Sequence, residues 1–105
     1  MMALEINSAT TDGGIEITVA GTVDLYSAPQ LRSALLESVP AEQQRIVVNL
    51  DGVTYMDSSG VAVLVEGLRS ARTNDTAFVL SHPSSSVMKV LELAKLDQIF
   101  EIESQ

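Results

Sequence analysis

The hydrophobic pattern of this chain changes period repeatedly, and that alternation leaves few architectures open to it. Short extended-type runs are separated by segments whose apolar residues recur every three or four positions, as strands separated by helices require. Leu4 to Asn7 and Ile15 to Ala20 alternate in character, and Thr11-Asp12-Gly13-Gly14 between them supplies turn residues, predicting a β-hairpin. After Gly21, Ser27 is placed as an N-cap with Gln30 as its capping-box partner and Pro29 in the first turn. Leu31, Leu35 and Leu36 share a face of that helix, and Pro40 marks its end.

Ile46 to Leu50 is short and β-branched, predicting an inner strand that Asp51-Gly52 breaks. A second helix runs from Val61 to Ala71, entered through Ser58-Ser59, with Val61, Leu64, Val65 and Leu68 on one side. Ala77 to Ser81 reads as a strand and His82-Pro83 as an extended break. Ser84 to Ala94 reads as a third helix with Val87, Val90, Leu91 and Ala94 facing inward. Ile99 to Ile102 closes the pattern as a strand, leaving Glu103-Ser104-Gln105 as a frayed end. The order ββαβαβαβ predicts one α/β domain over residues 1–105, a mixed but mostly parallel sheet with right-handed crossovers, flanked by helices.

Composition narrows the function classes. The 105 residues suit one core, and the 46% that are hydrophobic are spread along the chain, so no membrane insertion is expected. The start, Met1-Met2-Ala3-Leu4-Glu5, lacks a basic region followed by an apolar stretch, which points to a cytoplasmic location. There is no cysteine, so disulfides, thiolate catalysis and sulfur-ligated zinc drop out. Fourteen acidic against six basic residues give a net charge of -8, a field that repels phosphate backbones and argues against direct nucleic-acid binding.

The chemistry concentrates in Asp57-Ser58-Ser59-Gly60, between an extended stretch and an amphipathic helix. The first turn of a helix has unsatisfied N–H groups and favours negative charge, so a phosphate on a serine there is well received. It would add about −1.5 to −2 charge beside Asp57 and oppose a partner docked on the spot. Read on spacing alone, the same serines serve equally as helix caps.

Other constellations carry less. Hydrolase chemistry would pair Ser58 with His82, but the nucleophile turn Gly-x-Ser-x-Gly has Met56 in place of its first glycine. Asp24, Asp51 and Asp57 match no metal loop, so no metal is expected. Gly13-Gly14 lacks a following Gly-Lys-Ser or Gly-Lys-Thr, so no nucleotide cofactor is expected either.

The stretch from Ile46 to Val61, with Asp57-Ser58-Ser59-Gly60 at its end, resembles the signature segment of STAS domains, and specifically of bacterial anti-sigma factor antagonists. Gly21-Thr22-Val23-Asp24 resembles the family's Gly-x-x-Asp segment before its first helix. The resemblance implies the STAS fold and a non-enzymatic partner-switching cycle. In that cycle the unmodified domain binds an anti-sigma factor that is also a serine kinase, phosphorylation releases it, and a phosphatase resets it. Ser58 takes the place of the phosphoacceptor. Asp24, Asp57, Ser59 and Gly60 are implied to shape the site, and Asp57, Ser58, Ser59, Val61 and Leu64 to meet the partner. Gly60-Val61-Ala62-Val63-Leu64-Val65 also resembles the STAS accessory subunits of lipid-transporting ABC systems, which bind their ATPase subunit.

Overall fold

The computed structural model describes residues 4–38 and 45–103. Two strands open the chain, β1 (Glu5–Thr11) and β2 (Gly14–Val23), paired antiparallel around a two-residue turn. Gly13 has φ 80°, a left-handed conformation that glycine adopts without steric cost. Three crossovers follow: α1 (Ala28–Ser38) to β3 (Arg45–Met56), α2 (Ser58–Thr73) to β4 (Ala77–Ser81), and α3 (Ser85–Leu93) to β5 (Glu101–Glu103). The five strands lie in the order β1-β2-β3-β4-β5, and β2 through β5 are parallel. The expected mixed, mostly parallel sheet is therefore observed.

Because each parallel step moves one strand in the same direction, right-handed crossovers put every helix on one face of the sheet. The burial pattern agrees. Ile17, Val19, Ile46, Val48, Leu50 and Leu80 share the covered face and are all fully buried. α2 contacts both α1 and α3, so it is the middle helix, and Leu64 and Leu68 press against the sheet. On the opposite face Glu16 meets Asn49 through a hydrogen bond, and Arg45 crosses β4 to pair with Glu103.

Several local expectations need correction. Asp51-Gly52 does not end the strand: β3 runs on to Met56, absorbing the extra residues as irregularities in its register with β2. The Ser27–Gln30 capping box does not form. The Ser27 hydroxyl instead donates to the Thr22 carbonyl (2.8 Å) and accepts from the Asp24 N–H (2.9 Å), while the Gln30 amide reaches the Leu4 carbonyl. Pro40, the expected stop for α1, lies outside the described residues.

At the other end of the chain, His82 has φ 50°, a left-handed rather than extended backbone, and its N–H donates to the Glu103 carbonyl at 2.7 Å. Ser84 does cap α3, accepting from the Val87 N–H, but Ala94 is the exposed C-cap and not an inward residue. The last strand starts at Glu101, not Ile99, because a turn delivers Phe100 into the core beside Phe78, ring centroids 6.5 Å apart. Glu103 is paired in β5 and not frayed; Ser104 and Gln105 lie outside the described residues.

Candidate functional site

The carboxyl-terminal ends of β2 and β3 lie side by side, Val23 opposite Met56, so the loops that leave them meet at one corner of the molecule. The Asp57 N–H donates to the Val23 carbonyl (3.1 Å), fixing the start of α2 to the end of β2. Asp24 and Asp57, 33 positions apart in sequence, are thus brought to adjoining strand ends.

Asp57, not a serine, is the N-cap of α2. Its backbone is extended, and Oδ1 accepts from the Ser59 N–H at 2.9 Å, satisfying one of the amides that a helix start leaves open. Its carbonyl takes the Gly60 and Val61 N–H groups at 3.1 and 3.2 Å. Ser58 is therefore the first helical residue. It is exposed, and its hydroxyl makes no hydrogen bond among the described residues. Capping needs only a short acceptor preceding the helix, and the aspartate supplies it, which leaves the serine hydroxyl free for something else.

Gly60 is buried where α2 approaches the strands most closely. A Cβ there would lie 2.6 Å from Met56 Cγ and 2.7 Å from Val23 Cγ1. A glycine thus lets the helix start sit against the sheet, which holds Ser58 at the corner.

Asp24 works within its own loop. Its Oδ1 accepts from the Tyr26 and Ser27 N–H groups at 2.9 and 3.1 Å, an Asx-type turn that carries the chain from β2 into α1. No metal-ligating cluster of three or more His, Cys, Asp or Glu occurs among the described residues. His82 is exposed, and no hydrogen bond joins it to Ser58 among those residues.

From Ser58 a groove of about 600 Å³ runs along the outer side of α2, past Val61, Ala62, Val65, Glu66 and Arg69, to Leu96. Its rim is braced by Arg32 of α1, which grips the Glu66 carboxylate through Nε and Nη2 at 2.7 to 3.0 Å. That hydrogen bonding, with the guanidinium charge behind it, holds the Glu66 carboxyl below the usual carboxylate range.

The STAS domain family profile matches residues 5–105, nearly the whole chain. The chain belongs to the STAS family. Among curated relatives of this STAS chain is an anti-sigma-B factor antagonist of Listeria monocytogenes, 34% identical over 103 residues that cover 98% of this chain and 90% of the relative. Among solved structures, an anti-sigma factor antagonist from Mycobacterium paratuberculosis superposes with a TM-score of 0.87 at 21% identity, covering 96% of this chain and 86% of that one. The Bacillus cell fate determinant SpoIIAA, in its phosphorylated form, superposes with a TM-score of 0.75 at 21% identity, covering 98% and 91%. At these identities the two structures speak for the fold.

The residues that the sequence assigned to the STAS site separate into two groups. Asp24, Asp57, Ser58, Ser59 and Gly60 do gather at the corner. Leu64 is fully buried and packs the core beneath α2, while Val61, 6% exposed, lines the groove that begins at Ser58. The helical period that singled them out marks the face turned toward the sheet. Leu25 and Tyr26, to which the sequence pattern assigned no role, stand exposed in the loop held by Asp24. An apolar pair directly after Asp24, in a segment needed for a turn, was the available signal.

Proposed function

We propose that this chain is an anti-sigma factor antagonist acting as one domain: unmodified, it binds an anti-sigma factor with serine-kinase activity, and phosphorylation of Ser58 releases it. The observation that carries the reading is the placement of Ser58. Its hydroxyl is exposed at the first position of α2, uncommitted to any hydrogen bond among the described residues, because Asp57 does the capping. The names of the relatives support the same reading.

The physical consequence of phosphorylation follows from that geometry. A phosphate of about −1.5 to −2 charge would sit at the positive end of the α2 dipole, so the modified domain stays folded. It would also lie at the mouth of the α2 groove and beside the Asp57 carboxylate. A protein covering Ser58 would have to strip that anion of water, which costs several kcal/mol per ion and is repaid only where the partner sets cations and hydrogen-bond donors directly on it. Binding is lost without unfolding, and a phosphatase restores it. Such a cycle operates in the cytoplasm, where ATP and sigma factors meet, and asks for no catalysis by the domain itself.

The test is direct. The purified chain, incubated with ATP and the kinase-type anti-sigma factors of its genome, is expected to gain a single phosphate that mass spectrometry maps to Ser58. Ser58→Ala should bind constitutively in ATP, and Ser58→Asp should bind more weakly. Phosphate mapping to another residue, or no modification by any of these kinases, overturns the proposal.

A further inference from the structure

The two edges of the sheet are built differently. An edge strand presents a row of unpaired N–H and C=O groups, and folded proteins usually blunt that template with shortness, charge, proline or a bulge. β5 follows the rule, with three residues of which two, Glu101 and Glu103, are charged. β1 does not. It has seven residues in unbroken register with β2, no lysine, proline or glycine, and Glu5 as its one charge. No strand pairs with its outer side among the described residues.

Beside that edge, on the face that carries the helices, a groove of about 490 Å³ opens between the hairpin and α1. Ile6, Ile15 and Ile17 form its floor, Ser33 and Ala34 its wall, and Glu37 stands exposed at its rim. Three helices on five strands leave β1 without a helix of its own, since α1 packs on β2 and against α2. Ile6 and Ile15 are therefore only half-buried. The Gln30 amide, reaching from α1 to the Leu4 carbonyl, closes one end of the groove and leaves its long side open along β1. This groove lies on the other flank of α1 from the one that starts at Ser58: Arg32 turns toward Glu66 of α2, while Ser33, Ala34 and Glu37 turn here.

An open edge next to an apolar groove suits an extended peptide. Added alongside β1 at about 4.8 Å, such a strand would pair its backbone with the edge and lean alternate side chains over Ile6 and Ser8 toward α1. Charge then selects the sequence. Residues 1–31 contain Glu5, Asp12, Glu16 and Asp24 and no lysine or arginine, and Glu37 adds a further acid at the rim. A second copy of this chain is the wrong occupant: its own β1 would bring Glu5 and the adjoining Asp12 against the same acids, and it carries one large apolar side chain, Ile6, to fill the groove.

We infer that the β1 edge and the α1 groove together form a second protein-binding site, which takes an extended segment of a partner in which apolar residues alternate with lysine or arginine. The site does not depend on the antagonist reading. It lies on the outermost strand, with β2 between it and the strand that leads to Ser58, so it can hold a partner through both halves of a phosphorylation cycle.

The experiment is selection of a displayed library of random eight-residue peptides on the immobilised parent chain, followed by binding of the leading peptide in solution. The enriched sequences are expected to alternate apolar with basic residues, and the peptide should shift the amide NMR signals of β1 and of α1 around Ser33 to Glu37. An added strand pairs through one of its two edges. Of two versions of the peptide, N-methylated at odd or at even positions, one should therefore lose about tenfold or more in affinity and the other should keep it. Glu37→Lys should weaken binding by about three- to fivefold, while Glu92→Lys, the same charge change at an exposed site on α3, should stay within about twofold. No enrichment, equal binding of the two methylated versions, equal loss in both charge variants, or signal shifts confined to other elements overturns the inference. So does a parent chain that sediments as a dimer with its β1 amides protected from exchange, which would give the edge to a second copy. None of these results touches the phosphorylation of Ser58, so the two readings fail separately.

Discussion

Gly60→Ala is the substitution whose outcome the packing determines most sharply. The added methyl would lie 2.6 Å from Met56 Cγ, 2.7 Å from Val23 Cγ1 and 3.1 Å from Met56 Sδ. Comfortable carbon contacts lie near ~3.5–4.0 Å, so something must shift by close to an ångström. Val23 is fully buried and Met56 nearly so, and the crowding comes from two strands, so a small rotation of α2 relieves one contact at the expense of the other. Overpacking of this kind costs about 1–3 kcal/mol, against which alanine's helix preference returns at most about 1 kcal/mol, less in a first turn. The net expectation is a loss of about 1–2 kcal/mol. With a urea dependence of about 1–2 kcal/mol per molar, the midpoint followed by far-UV circular dichroism should fall by roughly 1 M. Gly67→Ala is the internal comparison. There the new methyl meets Phe78 Cζ at 3.1 Å and Leu35 Cδ1 at 3.2 Å, the tips of side chains that can give, so propensity and crowding should cancel to within about 0.5 kcal/mol. A Gly60→Ala midpoint at or above the parent's, or a greater loss for Gly67→Ala, would refute the reasoning.

Asp57→Ala removes the cap of α2 and should lower stability by about 1 kcal/mol, read as a drop in thermal midpoint, whereas Asp57→Asn keeps an acceptor for the Ser59 N–H and should lose only a few tenths. The Arg32–Glu66 pair makes stability pH-dependent in a defined direction. Because the folded Glu66 carboxyl titrates below its unfolded value, its contribution is present above the ordinary carboxylate range and disappears as pH falls through the lowered folded value. Arg32→Gln should therefore be less stable than the parent at neutral pH and equal to it in strong acid, and carbon NMR should show Glu66 titrating higher in the variant; both groups are solvent-exposed, so the effect is small.

Much of the fold was legible because strands and helices here declare themselves by period. Ile46, Val48 and Leu50 alternate into the core, and Val61, Leu64 and Leu68 recur at helical spacing, so both element types and their order were readable. Errors arose where a local signal had two outlets. Asp51-Gly52 is turn chemistry, yet neighbouring β2 offered the strand a register in which two extra residues fit. Ser27 is a good cap, but the Thr22 carbonyl and Asp24 amide came within reach of its hydroxyl first. Phe100 and Ile102 both read as strand residues, while only the core's demand for a ring beside Phe78 separates turn from strand.

By itself, the amino-acid order determined the alternation of elements, the acidic field and the local quartet Asp57-Ser58-Ser59-Gly60, because periodicity, charge and capping act over a few residues. Which face of α2 looks outward, which oxygen caps it, and the meeting of the Asp24 loop with the start of α2 were decided by the parallel pairing of β2 with β3. That pairing joins residues some thirty positions apart through burial of the core, an interaction with no local trace in the chain.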